Sequence, residues 1–214
     1  MRKQLPALLI FLGVVLVIIA FGPFIRDEVW FYLKELKGQE YELGADVHKK
    51  DSVFARLLSS RPIGIDPANK DFSIVIEKIG VSAPINKDVP VTDNQAYMES
   101  LRTGVAHASL SKYPSKNPGN TYLFAHASVN FWKLGKYAGV FNLLRKLDTG
   151  DKIYIFYEGR AYMYKVANIE IVKGWDVYSI TRPVIEPILT LQTCDPPGTT
   201  LNRLVVTAKL VSVE

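Results

Sequence analysis

The chain has 214 residues, 48% of them apolar and 22% charged, with a formal net charge of +5. That length supports one domain with a real core plus a short appendage. The mild basic excess is scattered and reads as a solvated surface, not as a nucleic-acid footprint. Its lone cysteine, Cys194, excludes an intramolecular disulfide and a zinc site built on several cysteines.

Residues 1–4 are short and basic, and residues 5–25 then run without a charge. As a helix the uncharged stretch would span about 31 Å, close to the ~30 Å hydrocarbon core of a bilayer. It is longer than the apolar part of a cleaved signal peptide, and Ala20-Phe21-Gly22 makes a poor cleavage site. The expectation is one transmembrane signal-anchor helix over 5–25. Arg2 and Lys3 keep residues 1–4 in the cytoplasm, and the rest of the chain lies outside it, on a single-pass plasma-membrane protein. Trp30, Phe31 and Tyr32 follow where aromatic rings favour the membrane interface. Residues 26–71 read as a juxtamembrane linker, with a short helix over 28–37 and one or two helical turns over 53–58.

From Phe72 the pattern changes to short β-branched and apolar runs punctuated by turns. Strands are expected over 72–79, 81–85, 121–127, 152–157, 161–172, 188–193 and 204–211, with Glu158-Gly159-Arg160 as a hairpin turn. Val140, Leu143, Leu144 and Leu147 have the spacing of a short amphipathic helix. The fold class is mostly β: a catalytic domain over 72–214 that closes into a barrel of about eight strands with short helices. No glycine-rich phosphate loop and no calcium-loop spacing is present in the sequence, so no cofactor and no metal is expected.

Three residues carry the chemistry. Cys194 ends a strand-like run and is followed at once by Asp195-Pro196-Pro197-Gly198, which puts it at a barrel rim, not deep inside. A cysteine nucleophile needs a nearby base or positive group. Arg203 lies nine residues on, at the start of the next strand, and faces Cys194 if the two strands are antiparallel neighbours. Its permanent charge suits a developing oxyanion. His126 ends another strand and can move a proton to a leaving amine. Trp175 and Tyr178, between strands, are candidates for lining a substrate groove.

Thr190-Leu191-Gln192-Thr193-Cys194 resembles the Thr-Leu-x-Thr-Cys signature of sortases. Asn202-Arg203-Leu204-Val205-Val206 resembles the arginine strand of that family, and Gly119 to His126 the strand ending in its catalytic histidine. Phe141 to Ile153 is similar to the family's helix–turn–strand, and Gly104-Val105-Ala106-His107 to an early segment that carries a second, noncatalytic histidine. The resemblance covers about residues 72–211 and implies a sortase-like closed barrel. It implies a membrane-anchored cysteine transpeptidase that cleaves a C-terminal sorting motif of surface proteins. Cys194 would form a thioester, His126 would protonate the leaving amine and Arg203 would hold the oxyanion. A cell-wall precursor or pilin amine would then take the acyl group. Thr193, His107 and Trp175 are the substrate-binding candidates. Ala125, Ala127 and Ser128 around the histidine depart from the usual flanks and leave the subclass open, a class D or E type included. The alternative is a membrane-anchored noncatalytic β-barrel module with an inert cysteine. An L,D-transpeptidase-like enzyme would carry a Ser-x-Gly-Cys motif, which Gln192-Thr193-Cys194 does not fit.

Overall fold

A computed structural model describes residues 5–44, 62–128 and 136–214. In chain order the elements are α1 (Leu5–Leu36), β1 (Tyr41–Leu43), β2 (Ile63–Ile65), β3 (Phe72–Ile76), β4 (Val81–Val89) and α2 (Asn94–Thr103). There follow β5 (Val105–Ala108), β6 (Gly119–Phe124), a 3-10 turn (Leu144–Lys146), β7 (Lys152–Tyr157), β8 (Arg160–Lys173), α3 (Tyr178–Thr181), β9 (Pro187–Asp195) and β10 (Asn202–Val213).

Eight strands close a barrel in the order β10-β8-β7-β3-β4-β5-β6-β9. Two neighbouring pairs, β4–β5 and β6–β9, are parallel, and the others are antiparallel. A parallel pair needs a crossover instead of a tight turn. Between β4 and β5 that crossover is α2, started by Asp93, whose carboxylate accepts from the Gln95 and Ala96 amides at 2.9 and 3.1 Å. The sequence pattern gave no hint of α2, because its ten residues are mostly polar and pack one narrow face.

Strand side chains alternate between two faces. Ile74, Ile76, Leu123, Ile153, Leu191 and Val206 point inward and form the buried core. β3 is buried at all five positions because its outer face is also covered. There Val75 packs with Ile65 and Phe156, under Tyr41 and Leu43 of β1.

That cover revises the linker expected over 26–71. α1 continues unbroken to Leu36, and β1 pairs in parallel with β2 against the barrel wall. The helical turns expected over 53–58 lie outside the described residues. Phe31, expected at a membrane interface, is instead 7% exposed within the core cluster, and the Trp30 indole donates to the Tyr41 hydroxyl at 2.8 Å. Tyr32 takes a hydrogen bond from Lys146 at 2.9 Å. The amphipathic helix expected around Val140 to Leu147 is a series of turns ending in the 3-10 turn; of its four apolar positions Leu144 and Leu147 are buried, while Val140 and Leu143 are half-buried. Among the described side chains no helical stretch is long and apolar enough to cross a membrane. The uncharged run over 5–25 lies within α1.

Candidate active site

β9 and β10 are antiparallel neighbours, and their register pairs Cys194 directly with Arg203. Opposed residues on adjacent strands point to the same face. The Arg203 Nη1 group accordingly reaches the Cys194 sulfur at 3.5 Å, and it also donates to the carbonyls of Asn202 at 3.2 Å and Thr200 at 3.4 Å. The guanidinium is thus held by backbone oxygens while one N–H faces the sulfur.

On the other side of β9 runs β6, parallel to it, with Phe124 opposite Gln192. One further backbone bond, from the Ala125 amide to the Gln192 carbonyl at 3.1 Å, extends the pairing before the chain leaves the sheet. His126 follows in a segment with no ladder of its own, and each carbonyl from 125 to 128 finds a donor elsewhere. The Thr193 hydroxyl donates to Ala125 O at 2.8 Å and the Phe141 amide to His126 O at 3.3 Å. The Gly198 amide donates to Ala127 O at 2.7 Å, and the Asn142 side chain to Ser128 O at 3.2 Å. Gly198 sits at φ 81° in the turn after Cys194, a backbone region that favours glycine. Its amide ties the turn after the cysteine to the segment after the histidine.

His126, Cys194 and Arg203 line one cleft of about 600 Å³ on the outer face of β6, β9 and β10. Tyr97 of α2, Tyr122 and Phe124 of β6 and Gln192 of β9 line it as well. Tyr97 stacks on Phe124 with ring centroids 5.1 Å apart and meets the His126 ring edge-on at 6.4 Å. Burial holds His126 below the ordinary imidazole value, so the ring is neutral at pH 7. Its Nε2 is buried with no hydrogen-bond partner among the described residues.

Behind the cleft a polar cluster pins α3 to the sheet. The Tyr122 hydroxyl donates to the Gln192 side-chain carbonyl and lies 3.1 Å from the Ser179 hydroxyl. Asn120 donates to the Ser179 carbonyl at 3.1 Å and accepts from Thr190 at 2.8 Å. Burial pushes the Tyr122 phenol up to about 12, so it stays a neutral donor.

The three substrate-binding candidates sit elsewhere than expected. Thr193 is buried with its hydroxyl on the Ala125 carbonyl, a structural bond beneath the site. His107 is fully buried on the opposite face of the sheet from Phe124, since its register partner is the inward-facing Leu123. It stacks on Tyr113 at 4.5 Å and bonds Ser111 at 2.9 Å, inside the barrel and not in the cleft. Trp175 is 81% exposed, and the cleft wall is made by its neighbours Gly174, Asp176 and Val177. Tyr122 and Gln192 were legible in principle, because each lies two residues before Phe124 or Cys194 and shares its face. Tyr97 carried no sequence signal.

The Sortase domain family matches residues 74–211, most of the chain and the whole site. The chain belongs to the sortase family. It is 30% identical to sortase C-1 from Actinomyces oris over 68% of this chain and 76% of that one, with a TM-score of 0.56. It is 26% identical to a pilus-related sortase C of Group B Streptococcus, covering 77% of each chain, with a TM-score of 0.55. The fold also matches Clostridium perfringens sortase C solved with the C-terminal cell wall sorting motif, at 24% identity, 67% and 72% coverage and a TM-score of 0.54. Sortases A, D and E share the fold too, so the fold singles out no class. No curated protein matches the chain. The protein is therefore a sortase, a cysteine transpeptidase on a closed eight-stranded barrel.

Proposed function

We propose that this sortase cleaves a C-terminal sorting motif of surface proteins with Cys194 as nucleophile and passes the acyl group to an amine. The observation that carries the reading is the guanidinium of Arg203 3.5 Å from the Cys194 sulfur, in the same cleft as His126.

The neutral His126 ring takes the thiol proton as the sulfur attacks the scissile carbonyl. Negative charge then moves from sulfur to the carbonyl oxygen, where the Arg203 N–H groups can meet it. Collapse forms the thioester and breaks the carbon–nitrogen bond, and His126 returns its proton to the leaving amine. An incoming amine, from a cell-wall precursor or a pilin lysine, attacks the thioester and gives its proton to His126. The sulfur leaves and is reprotonated, so the cycle closes with no redox partner.

Residues 5–25 anchor the enzyme in the plasma membrane, with residues 1–4 in the cytoplasm and the barrel outside. The support is the uncharged run within the 32-residue helix α1 and the basic residues that precede it. The test is mass spectrometry of the full-length protein purified from cells. An acyl adduct on Cys194 that vanishes in Cys194→Ala is expected, and its peptide names the motif. A wild-type protein that neither carries an adduct nor cleaves sorting-type peptides would leave the noncatalytic module as the better reading.

A further inference from the structure

We propose that Asn142 and Arg145 are positioning residues that tie the docking of α1 to the placement of His126. The inference rests on the catalytic reading above and adds to it a control point outside the cleft.

His126 lies in a segment without ladder bonds, so its place depends on the donors that hold its neighbours' carbonyls. One of them, the Asn142 side chain on Ser128 O, is a buried donor from outside the sheet. The next residue back, Phe141, holds His126 O through its amide. Asn142 is held in turn, because its own carbonyl accepts from Arg145 Nη1 at 2.7 Å. The other terminal nitrogen of Arg145 pairs with Glu28 of α1. Lys146 backs that contact, 3.2 Å from the second Glu28 oxygen and donating to the Tyr32 hydroxyl at 2.9 Å. The Arg145 guanidinium also lies over the Phe24 ring, at 5.4 Å. One planar guanidinium thus bridges the helix and the loop that brackets the histidine, a task its fixed fork geometry suits.

The pair is partly exposed, with 31% and 17% of its side chains accessible, so its own effect on global stability is small. Its consequence is geometric. Released from Glu28, the arginine loses its hold on α1, the Asn142 carbonyl it donates to is less firmly placed, and the Asn142 tie to Ser128 O loosens while the Ser128 amide keeps its bond to Ala138 O at 3.0 Å. Displacements near an ångström at a reacting group can cost up to about a hundredfold in rate.

The experiment uses the full-length protein in detergent micelles, labelled at its histidines, with His126→Gln to assign the His126 signal. Glu28→Lys and Asn142→Ala are compared with wild type. Both are expected to shift the imidazole signals and titration midpoint of His126 while leaving those of His107, inside the barrel, in place. Sorting-peptide cleavage should show kcat reduced about three- to tenfold with KM within about twofold. The double variant should lose less than the product of the two single losses, since both act on one path. If Asn142→Ala does not fold, Glu28→Lys on the docked helix carries the test alone. His126 signals that coincide with wild type overturn the proposal, as does a shift that His107 shares in step with a lowered melting temperature. Should wild type form no acyl-enzyme while His126 still responds to Glu28→Lys, the coupling stands and the catalytic reading falls.

Discussion

Two regions of the site are held by different physics. Cys194 and Arg203 sit opposite each other on β9 and β10, fixed by an antiparallel ladder that continues through eight registered pairs. His126 sits just beyond the end of β6, where the ladder has stopped, and its neighbours' carbonyls are taken by Thr193, Phe141, Gly198 and Asn142. The ladder pair is over-determined, since losing one bond leaves many. The histidine segment is held by single bonds to separate partners instead of by a ladder. Cys194 and Arg203 should therefore tolerate distant change, whereas His126 should respond to substitutions far from the cleft.

The largest effect is expected where the charged partner itself goes. Arg203→Ala should lower kcat by about 10²–10³-fold, the usual loss of an oxyanion donor, with Cys194 still open to alkylation. Single-turnover kinetics with a sorting peptide would check it. A loss under tenfold would mean that the oxyanion leans on other groups and that the ladder places a spectator. Arg203→Lys should recover only part of the loss, because a point charge cannot both face the sulfur and keep the Thr200 and Asn202 carbonyls.

Next come the supports of the histidine segment. Thr193→Val keeps shape but leaves the buried Ala125 carbonyl without its donor, which costs about 1–3 kcal/mol in urea unfolding. The ladder beneath Cys194 should survive, so thiol alkylation stays near the wild-type rate while peptide cleavage falls. Equal loss of both would show that the two regions are not separable. Gly198→Ala should cost about 1–2 kcal/mol from the left-handed backbone alone. It should also weaken the tie to Ala127, read as faster amide exchange in the turn after Cys194.

The same contrast explains what could be read from the sequence. The barrel and the meeting of Cys194 with Arg203 follow from short strand-like apolar runs and from a nine-residue spacing across one turn, both of them local rules that a sheet enforces globally. The strand order, with β6 parallel to β9, does not follow from them. The placement of His126 in the cleft was legible only through its position at a strand end. Its supports were not legible, because Asn142 and Gly198 reach it through tertiary contacts that leave no periodic trace. His107 misled for a related reason: sequence nearness to the site says nothing about which face of β5 it occupies. Residues 26–44 looked like a linker because charges interrupt the aromatics, yet Lys34 and Glu28 are accommodated by pairing, and Phe31 by burial.

The smallest effect is the pH dependence, and it sets the two buried histidines side by side. Burial lowers the pKa of both His107 and His126, and for His107 it outweighs the opposing pull of the Lys112 carbonyl and of Asp88, 3.5 Å away. A histidine depressed in the folded state binds its proton more tightly when unfolded. Its contribution to stability is then full above the unfolded value of about 6.5 and is lost as pH falls through the folded value. The melting temperature should be level from about pH 7 to 8 and should decline steadily below about 6.5. In His126→Gln the decline should be shallower but present, because His107 still has to charge inside the barrel. Were the decline to vanish in that variant, the barrel histidine would contribute nothing, and its buried ring, stacked on Tyr113, would have to accept a proton as readily folded as unfolded.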